Sequence, residues 1–479
     1  MKKLTTILLF VLVSFMLTLW ISYIALRFDS EILNETVLER DFWIFSEQNE
    51  YRTQTVADEY FFSPLSVSII LSSKGYTSAY NSHLTHILWE NSKVLLNEVL
   101  SDSYTCTKSK LNEWEEALKK EDAIFIEYPA SLPYTAIALF SEKTDSFAKS
   151  ELCNIKSIII FNDNSGTLCA ISKDSDGNIY SYNYSSDDSP SLVYDFNSNN
   201  LAAYTVNKGF IPFEFNVNAK ENTKNENLPP EYKLLSSSPS LSSITVFSPL
   251  KESVSKNLEA NSINALEIAT EPEVSPFFDA FEINPHIVGY YSNNVSGLFF
   301  VGQDTILEIS PSGRVRYSVT DTEYTPITVS SLLNSEKTSF SSNQLLTAAT
   351  VFLSRFDNRF IGGEAVPLFE SMAYSPKDDT FTFNFGYYYE LSEMLYNGKK
   401  MGITLIFNSL GLISADIETI TVSKSEAETP SEDYLDMSLT PNIVSKMLTS
   451  NSFFAPVYNY TLDSTIAPYW MEKKGEILK

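Results

Sequence analysis

Thr380-Phe-Thr-Phe-Asn-Phe-Gly-Tyr-Tyr-Tyr-Glu390-Leu391 is the most telling stretch of this 479-residue chain. Phe381, Phe383, Phe385, Tyr387, Tyr389 and Leu391 fall on every second position, with Thr382, Asn384 and Glu390 between them. A period of two puts the aromatic set on one side of an extended strand, so the odd-numbered face is read as core. Upstream, Ser342 is placed to cap a helix whose stripe is Leu345, Ala349, Phe352, Phe356 and Phe360, ended by Gly362-Gly363. Downstream, 401–407, a turn around Ser409-Leu410-Gly411 and 412–422 continue the sheet. A polar loop over 423–433 leads to Thr440-Pro441, an N-cap and first-turn proline that open a second helix through Met447. Strands over 454–460 and 466–472 close the chain, and the order helix, strands, helix, strands has the form of two related half-units.

Further upstream the same signals recur more loosely. A strand is expected at 67–72, helical spacing at 83–89 and 93–100, and a helix over 111–120 with Trp114 and Leu118 four apart. Residues 123–128 alternate like a strand and stop at Pro129 and Pro133. A hairpin follows, with strands 155–161 and 168–172 joined by turn residues 162–166, and Asp176-Gly177 turns the chain into a strand at 179–184. The Asn-, Lys-, Glu-, Pro- and Ser-rich stretch 216–243, with Pro229-Pro230 inside it, reads as a domain boundary or a long surface excursion. Helical spacing at 253–258 and 276–281 precedes a meander of strands at 297–301, 305–309 and 314–319. In the last of these Val315, Tyr317 and Val319 share one face and Arg314, Arg316 and Ser318 the other, and Pro311-Ser312-Gly313 supplies the turn before it.

Residues 5–26 hold 22 positions without a charge, which as a helix span about 33 Å, the thickness of a bilayer core. Lys2 and Lys3 precede the run; Arg27, Asp29, Glu31, Glu35, Glu39 and Asp41 follow it, so the basic end is expected in the cytoplasm and the rest of the chain outside. The run is longer than the core of a cleaved signal peptide, and no small-x-small site precedes Arg27. Ser14, Thr18 and Ser22 recur every fourth residue, a small hydroxyl-bearing face on which a partner's membrane helix can pack, or which bonds its own backbone and faces lipid. Trp20 and Tyr23 read as interfacial anchors. At roughly 150 residues per domain the remainder amounts to about three. The expected fold class is therefore α+β: a cytoplasmic tip (1–4), a single transmembrane helix (5–26), an acidic stalk (27–62), and three extracytoplasmic domains of antiparallel sheet with packed helices at 63–215, 216–325 and 326–479.

Composition narrows the chemistry. A net charge of −26 repels nucleic-acid phosphate, so no nucleic-acid partner is expected, while 27 Tyr and 32 Phe exceed what a disordered acidic chain carries. Three His and three Cys leave little material for metal or thiol chemistry. His83 and His86 stand one helical turn apart without the glutamate context of a zinc helix and read as surface histidines. With the hairpin turn at 162–166, Cys169 is expected opposite about residue 159 rather than Cys153, so no disulfide is assumed and Cys106, Cys153 and Cys169 are read as small buried apolar residues. Glu115-Glu116 and Asp378-Asp379 read as solvated faces, and the sequons at Asn183 and Asn459 carry no weight alone. No nucleophile elbow or phosphate loop is present, and no catalytic residue, metal or cofactor is assigned.

Several runs together resemble a known family. Val67-Ser-Ile-Ile-Leu-Ser72, Leu95-Leu-Asn-Glu-Val-Leu100, Glu113-Trp-Glu-Glu-Ala-Leu118 and Phe125-Ile-Glu-Tyr-Pro-Ala-Ser-Leu-Pro133 resemble the extracytoplasmic part of YycH-like proteins. Ala280-Phe-Glu-Ile-Asn-Pro285 and Leu307-Glu-Ile-Ser-Pro-Ser-Gly-Arg-Val-Arg-Tyr317 are similar to its middle, and Ile466-Ala-Pro-Tyr-Trp470 to its closing strand. The stretch 216–232 is longer than the family pattern, and Tyr396-Asn-Gly-Lys-Lys400 inserts into a hairpin. The resemblance implies a single-pass accessory protein of the bacterial cell membrane. Its partners would be a two-component sensor histidine kinase governing cell-wall homeostasis and a shorter YycI-like single-pass protein, and it carries no catalytic residues across. A rival expectation is an extracytoplasmic module binding wall polymer or a secreted ligand through exposed aromatics. An enzyme reading, such as a wall hydrolase, requires a cleft with two carboxylates roughly 5–10 Å apart.

Overall fold

The computed structural model describes residues 61–78, 82–101, 104–133, 154–184, 210–220, 224, 228–236, 243–259, 264–293, 295–337, 339–390, 392–400, 402–425, 452–460, 464–466 and 469–474. All belong to one compact unit that runs from Asp58 to Lys479. The architecture is α+β, with three mainly antiparallel sheets and several helices. The expected membrane helix with Ser14, Thr18 and Ser22, the second helix at Thr440-Pro441 and Cys153 lie outside the described residues. Among the described residues no helix is long and apolar enough to cross a membrane.

The first sheet has nine antiparallel strands, in the order Tyr104–Ser109, Ile179–Tyr184, Leu168–Lys173, Asn154–Asn162, Ala123–Pro133, Ser66–Leu71, Lys74–Thr77, Ile211–Phe215 and Lys233–Leu235. Its two faces are covered by two helices. Trp89, on Ser82–Val99, meets Tyr128, whereas Trp114, on Leu111–Ala117, meets Phe125 on the other side of the same strand. Trp114, Phe125, Ile159, Phe161 and Phe215 form the core beneath the shorter helix. The two helical stretches at 83–89 and 93–100 are thus one helix.

Ala123–Pro133 runs through Pro129, because the ladder slips between Glu127 and Leu132 and the bulge holds Pro129 where no donor is required, while Pro133 ends the strand opposite Asn154. The hairpin pairs Cys169 with Phe161, not with residue 159, since its loop is 163–167. Cys169 is buried as expected, but Cys106 is half-buried, on the outermost strand. Within 216–243, Lys233–Leu235 adds the last strand of the first sheet, so this sheet extends beyond residue 215. Phe61 and Phe62, read from sequence as the end of the stalk, are buried against Phe385 and Phe369 of the third sheet.

The second sheet orders Ile361–Gly363, Ile420–Lys424, Ile244–Phe247 and Ser464–Ile466, with the first two parallel. The third has twelve strands and combines the 289–319 meander with strands from Val366–Ser375 onward. Its path is Gly289–Asn293, Gly297–Val301, Thr305–Ile309, Val315–Val319, Leu412–Ile417, Gly402–Phe407, Thr380–Tyr389, Ser392–Tyr396, Ser452–Tyr460 and Tyr469–Lys474. Val366–Ser375 also pairs with Thr380–Tyr389, and Lys399–Lys400 with Ser392–Tyr396. The stretch 412–422 does not continue one sheet. It breaks at Glu418-Thr419 and passes from the third sheet to the second.

Helix Ser342–Leu353 packs on the odd face of the third sheet. Its N-cap is Ser341 rather than Ser342: the residue just outside the helix is extended, and its hydroxyl and the Gln344 side chain satisfy each other's backbone N–H groups. The helix ends at Leu353, well before the glycine pair. Phe356 and Phe360 nonetheless remain buried in turns, Phe356 against Phe281 and Phe277, and Phe360 against Phe277. Phe281 in turn stacks on Tyr317 with ring centroids 4.6 Å apart. Phe383, Phe385, Tyr387 and Tyr389 are buried, as the period-two reading requires, while Phe381 at the strand end is partly exposed.

Candidate functional site

The face of the third sheet opposite that core is polar. Register aligns Glu308, Arg316, Asp416, Thr404, Asn384 and Ser371 as neighbours on six successive strands. Their side chains bond sideways in two segments, Glu308–Arg316–Asp416 and Thr404–Asn384–Ser371, set next to each other by the pairing of Asp416 with Thr404. Arg316 Nη1 donates to Glu308 Oε1 at 3.1 Å, and its Nε lies 3.6 Å from Asp416 Oδ2. Thr404 Oγ1 donates to Asn384 Oδ1 at 2.9 Å, and Asn384 Nδ2 to Ser371 Oγ at 2.9 Å. Arg314 grips Asp416 with both Nε and Nη2, the latter at 2.6 Å, and this bidentate bond raises the arginine further above its ordinary value. Water reaches the row: Arg316 is 48% accessible and Asp416 29%. At its far end the exposed Tyr291 ring lies flat on Phe299, 4.7 Å between centroids.

A second cluster adjoins the row on the same face. The register slip between Phe369 and Ser371 frees Glu370 to lie over Gly386, where any Cβ would strike its carboxylate. Tyr388 donates its hydroxyl to Glu370 Oε1 at 2.9 Å, and Lys400 bridges Glu370 at 2.7 Å and Glu393 at 3.0 Å. Burial draws the Lys400 ammonium down, and the two carboxylates outweigh it and hold it above the ordinary lysine value. Burial pushes the Tyr388 hydroxyl well up. The turn carrying Lys400 is the Tyr396-Asn-Gly-Lys-Lys400 segment, and Asn397 and Gly398, both at positive φ, reverse it tightly.

The remaining candidates are dispersed. His83 and His86 are both exposed, with His86 4.0 Å from Glu90, and among the described residues no three His, Cys, Asp or Glu side chains converge on a metal position. Glu116 pairs with Lys119 at the surface, and Asp378 and Asp379 accept bonds from Ser375 and Tyr374. In the first sheet, Lys233 Nζ donates to Ser66 Oγ at 2.6 Å and lies 3.7 Å from Glu127. Burial pulls this lysine down. Ser66 is itself buried and lines neither of two shallow cavities, of about 370 and 310 Å³, on this sheet. This network ties the last strand to the sheet face and presents no nucleophile to solvent.

The sequence exposed part of the site. Arg314 and Arg316 were readable on the outer face of their strand, but their partner Asp416 lies a hundred residues away and is set beside them only by strand register. Glu370 depends on a bulge with no local signature. Comparison with protein families, with characterised proteins and with solved structures returned no match to this chain.

Proposed function

We propose that the chain is a non-catalytic binding protein that docks another protein on the accessible face of the third sheet, and that this partner is a two-component sensor histidine kinase complex of the bacterial cell membrane. The observation that carries the docking reading is the row of aligned polar side chains from Glu308 to Ser371, bonded sideways in two segments. It is a broad surface whose charged groups are already paired and oriented, so a partner meets fixed donors and acceptors without ordering long side chains first. The apolar run 5–26 and the YycH-like sequence runs support the membrane location and the kinase as partner. A YycI-like single-pass protein is the second partner in this reading.

The test is co-purification of the full chain with the kinase from solubilised membranes. Arg316→Glu combined with Asn384→Arg is expected to reduce kinase recovery roughly tenfold. The triple change Ser14→Leu, Thr18→Leu, Ser22→Leu tests the contribution of the membrane face in the same assay. Recovery unchanged by both sets rejects the reading. The stacked Tyr291–Phe299 pair favours a second reading, a module that binds wall polymer by ring stacking. Retention on isolated wall material, lost in Tyr291→Ala, would decide for it.

A further inference from the structure

Gly289–Asn293 lies at the end of the third sheet and, among the described residues, is paired on one side only, with Gly297–Val301. Exposed edges are usually protected by lysine, proline, bulges or charged side chains. None is present here. Ile287-Val-Gly-Tyr-Tyr-Ser-Asn-Asn-Val-Ser296 contains neither a charge nor a proline, in a chain of which 20% is charged, and its ladder to the neighbouring strand is regular. The stretch also carries Val295 at 86% and Ile287 at 75% exposure, the two most exposed large apolar side chains among the described residues, with Tyr291 at 52% between them.

We propose that two copies of this chain pair antiparallel through Gly289–Asn293, so that the third sheet runs without interruption across a two-fold axis at Tyr291. The ends of the strand identify the occupant. Ile287 stands in the bend before it and Val295 in the turn after it, so antiparallel pairing about Tyr291 brings the Ile287 end of one copy beside the Val295 end of the other, and this apolar contact forms twice. Tyr290 then faces Ser292, and Gly289 faces Asn293. Each copy carries a net charge of −26, and the uncharged edge is where two such molecules can approach with no like charges set opposite. More distant charges are screened beyond about 8 Å at physiological salt. Side chains stand perpendicular to the sheet, so pairing leaves the polar row accessible and joins two copies of it end to end, with the Tyr291–Phe299 stacks at the centre. The inference does not rest on the kinase reading.

The full chain in detergent is expected to sediment at twice its 54.0 kDa mass, with dissociation on dilution. Tyr291→Lys sets two ammonium groups face to face and is expected to weaken the dimer roughly tenfold or more, whereas Tyr324→Lys, equally exposed but off the edge, leaves it unchanged. Far-ultraviolet circular dichroism of both variants verifies folding. Mild oxidation of Tyr291→Cys in membranes is expected to yield a disulfide-linked species of twice the chain mass, absent for Tyr324→Cys. The proposal is overturned if the chain stays monomeric up to about 100 μM, if Tyr291→Lys dimerises like the parent, or if Tyr291→Cys crosslinks only to a different protein.

Discussion

Replacing Glu418 by glutamine should remove a pH dependence from the stability of this protein. Glu418 stands where the chain leaves the third sheet for the second, 5% exposed, with Oε2 lacking a hydrogen-bond partner among the described residues. Its backbone is fixed by an N–H bond to Gly402 O at 3.1 Å and by the Tyr387 hydroxyl, which donates to its carbonyl at 2.7 Å. These bonds hold the crossover backbone in place beside the buried carboxyl. Burial pushes its carboxyl from 4.5 up to about 7; Arg314 pulls it back, and the Asp416 charge adds to the rise. The folded state thus holds this proton more tightly than the unfolded chain. The stabilisation is complete below pH 4.5 and is lost as pH rises to about 7. At about 1.4 kcal/mol per pH unit the loss amounts to about 3 kcal/mol. Glutamine has the shape of the protonated acid and does not titrate. In urea unfolding between about pH 4 and pH 8, Glu418→Gln should match the parent at the acid end and exceed it by about 3 kcal/mol at the alkaline end. A difference that stays constant with pH, or that shrinks as pH rises, would refute the assignment of a buried neutral carboxyl.

Other substitutions test the packing and the site. Trp114 is fully buried against Phe125 and donates its indole N–H to Glu231 Oε2 at 3.2 Å, while Glu231 pairs with Lys173 at 2.7 Å. Trp114→Ala should cost about 3–5 kcal/mol in denaturant unfolding, and Trp114→Phe distinctly less, since it preserves most of the ring contact. Gly386→Ala drives a methyl group into the Glu370 carboxylate, which must then give up its bonds to Tyr388 and Lys400, and should cost about 1–3 kcal/mol; a neutral result would show that these bonds do not hold Glu370 over the glycine.

Much of the fold was legible because it is local. Period-two alternation at 381–389 and the helical stripe Leu345, Ala349 and Phe352 depend only on neighbours a few residues away, and these side chains are buried apart from the partly exposed Phe381. Local rules also mark where a neighbour must intervene. Pro129 reads as a stop, yet a bulge carries the strand past it. The Cys169 register was displaced by two residues because a turn's limits depend on which hydrogen bonds close it: Asp163 accepts from Ser165 and Thr167 and shifts the loop.

Side-chain pattern alone makes this a mixed helix and sheet protein, strongly acidic, with an apolar run at residues 5–26 and outward-facing arginines at 314 and 316. Each of these follows from side-chain polarity read at fixed spacing. Which strands share a sheet, the break at Glu418-Thr419 between two of them, and the alignment of Arg316, Asp416, Thr404, Asn384 and Ser371 are properties of the assembled fold. Pairing between distant strands is selected by the summed burial of both faces. No single residue encodes that sum, so the polar row exists only once the core beneath it has set the register.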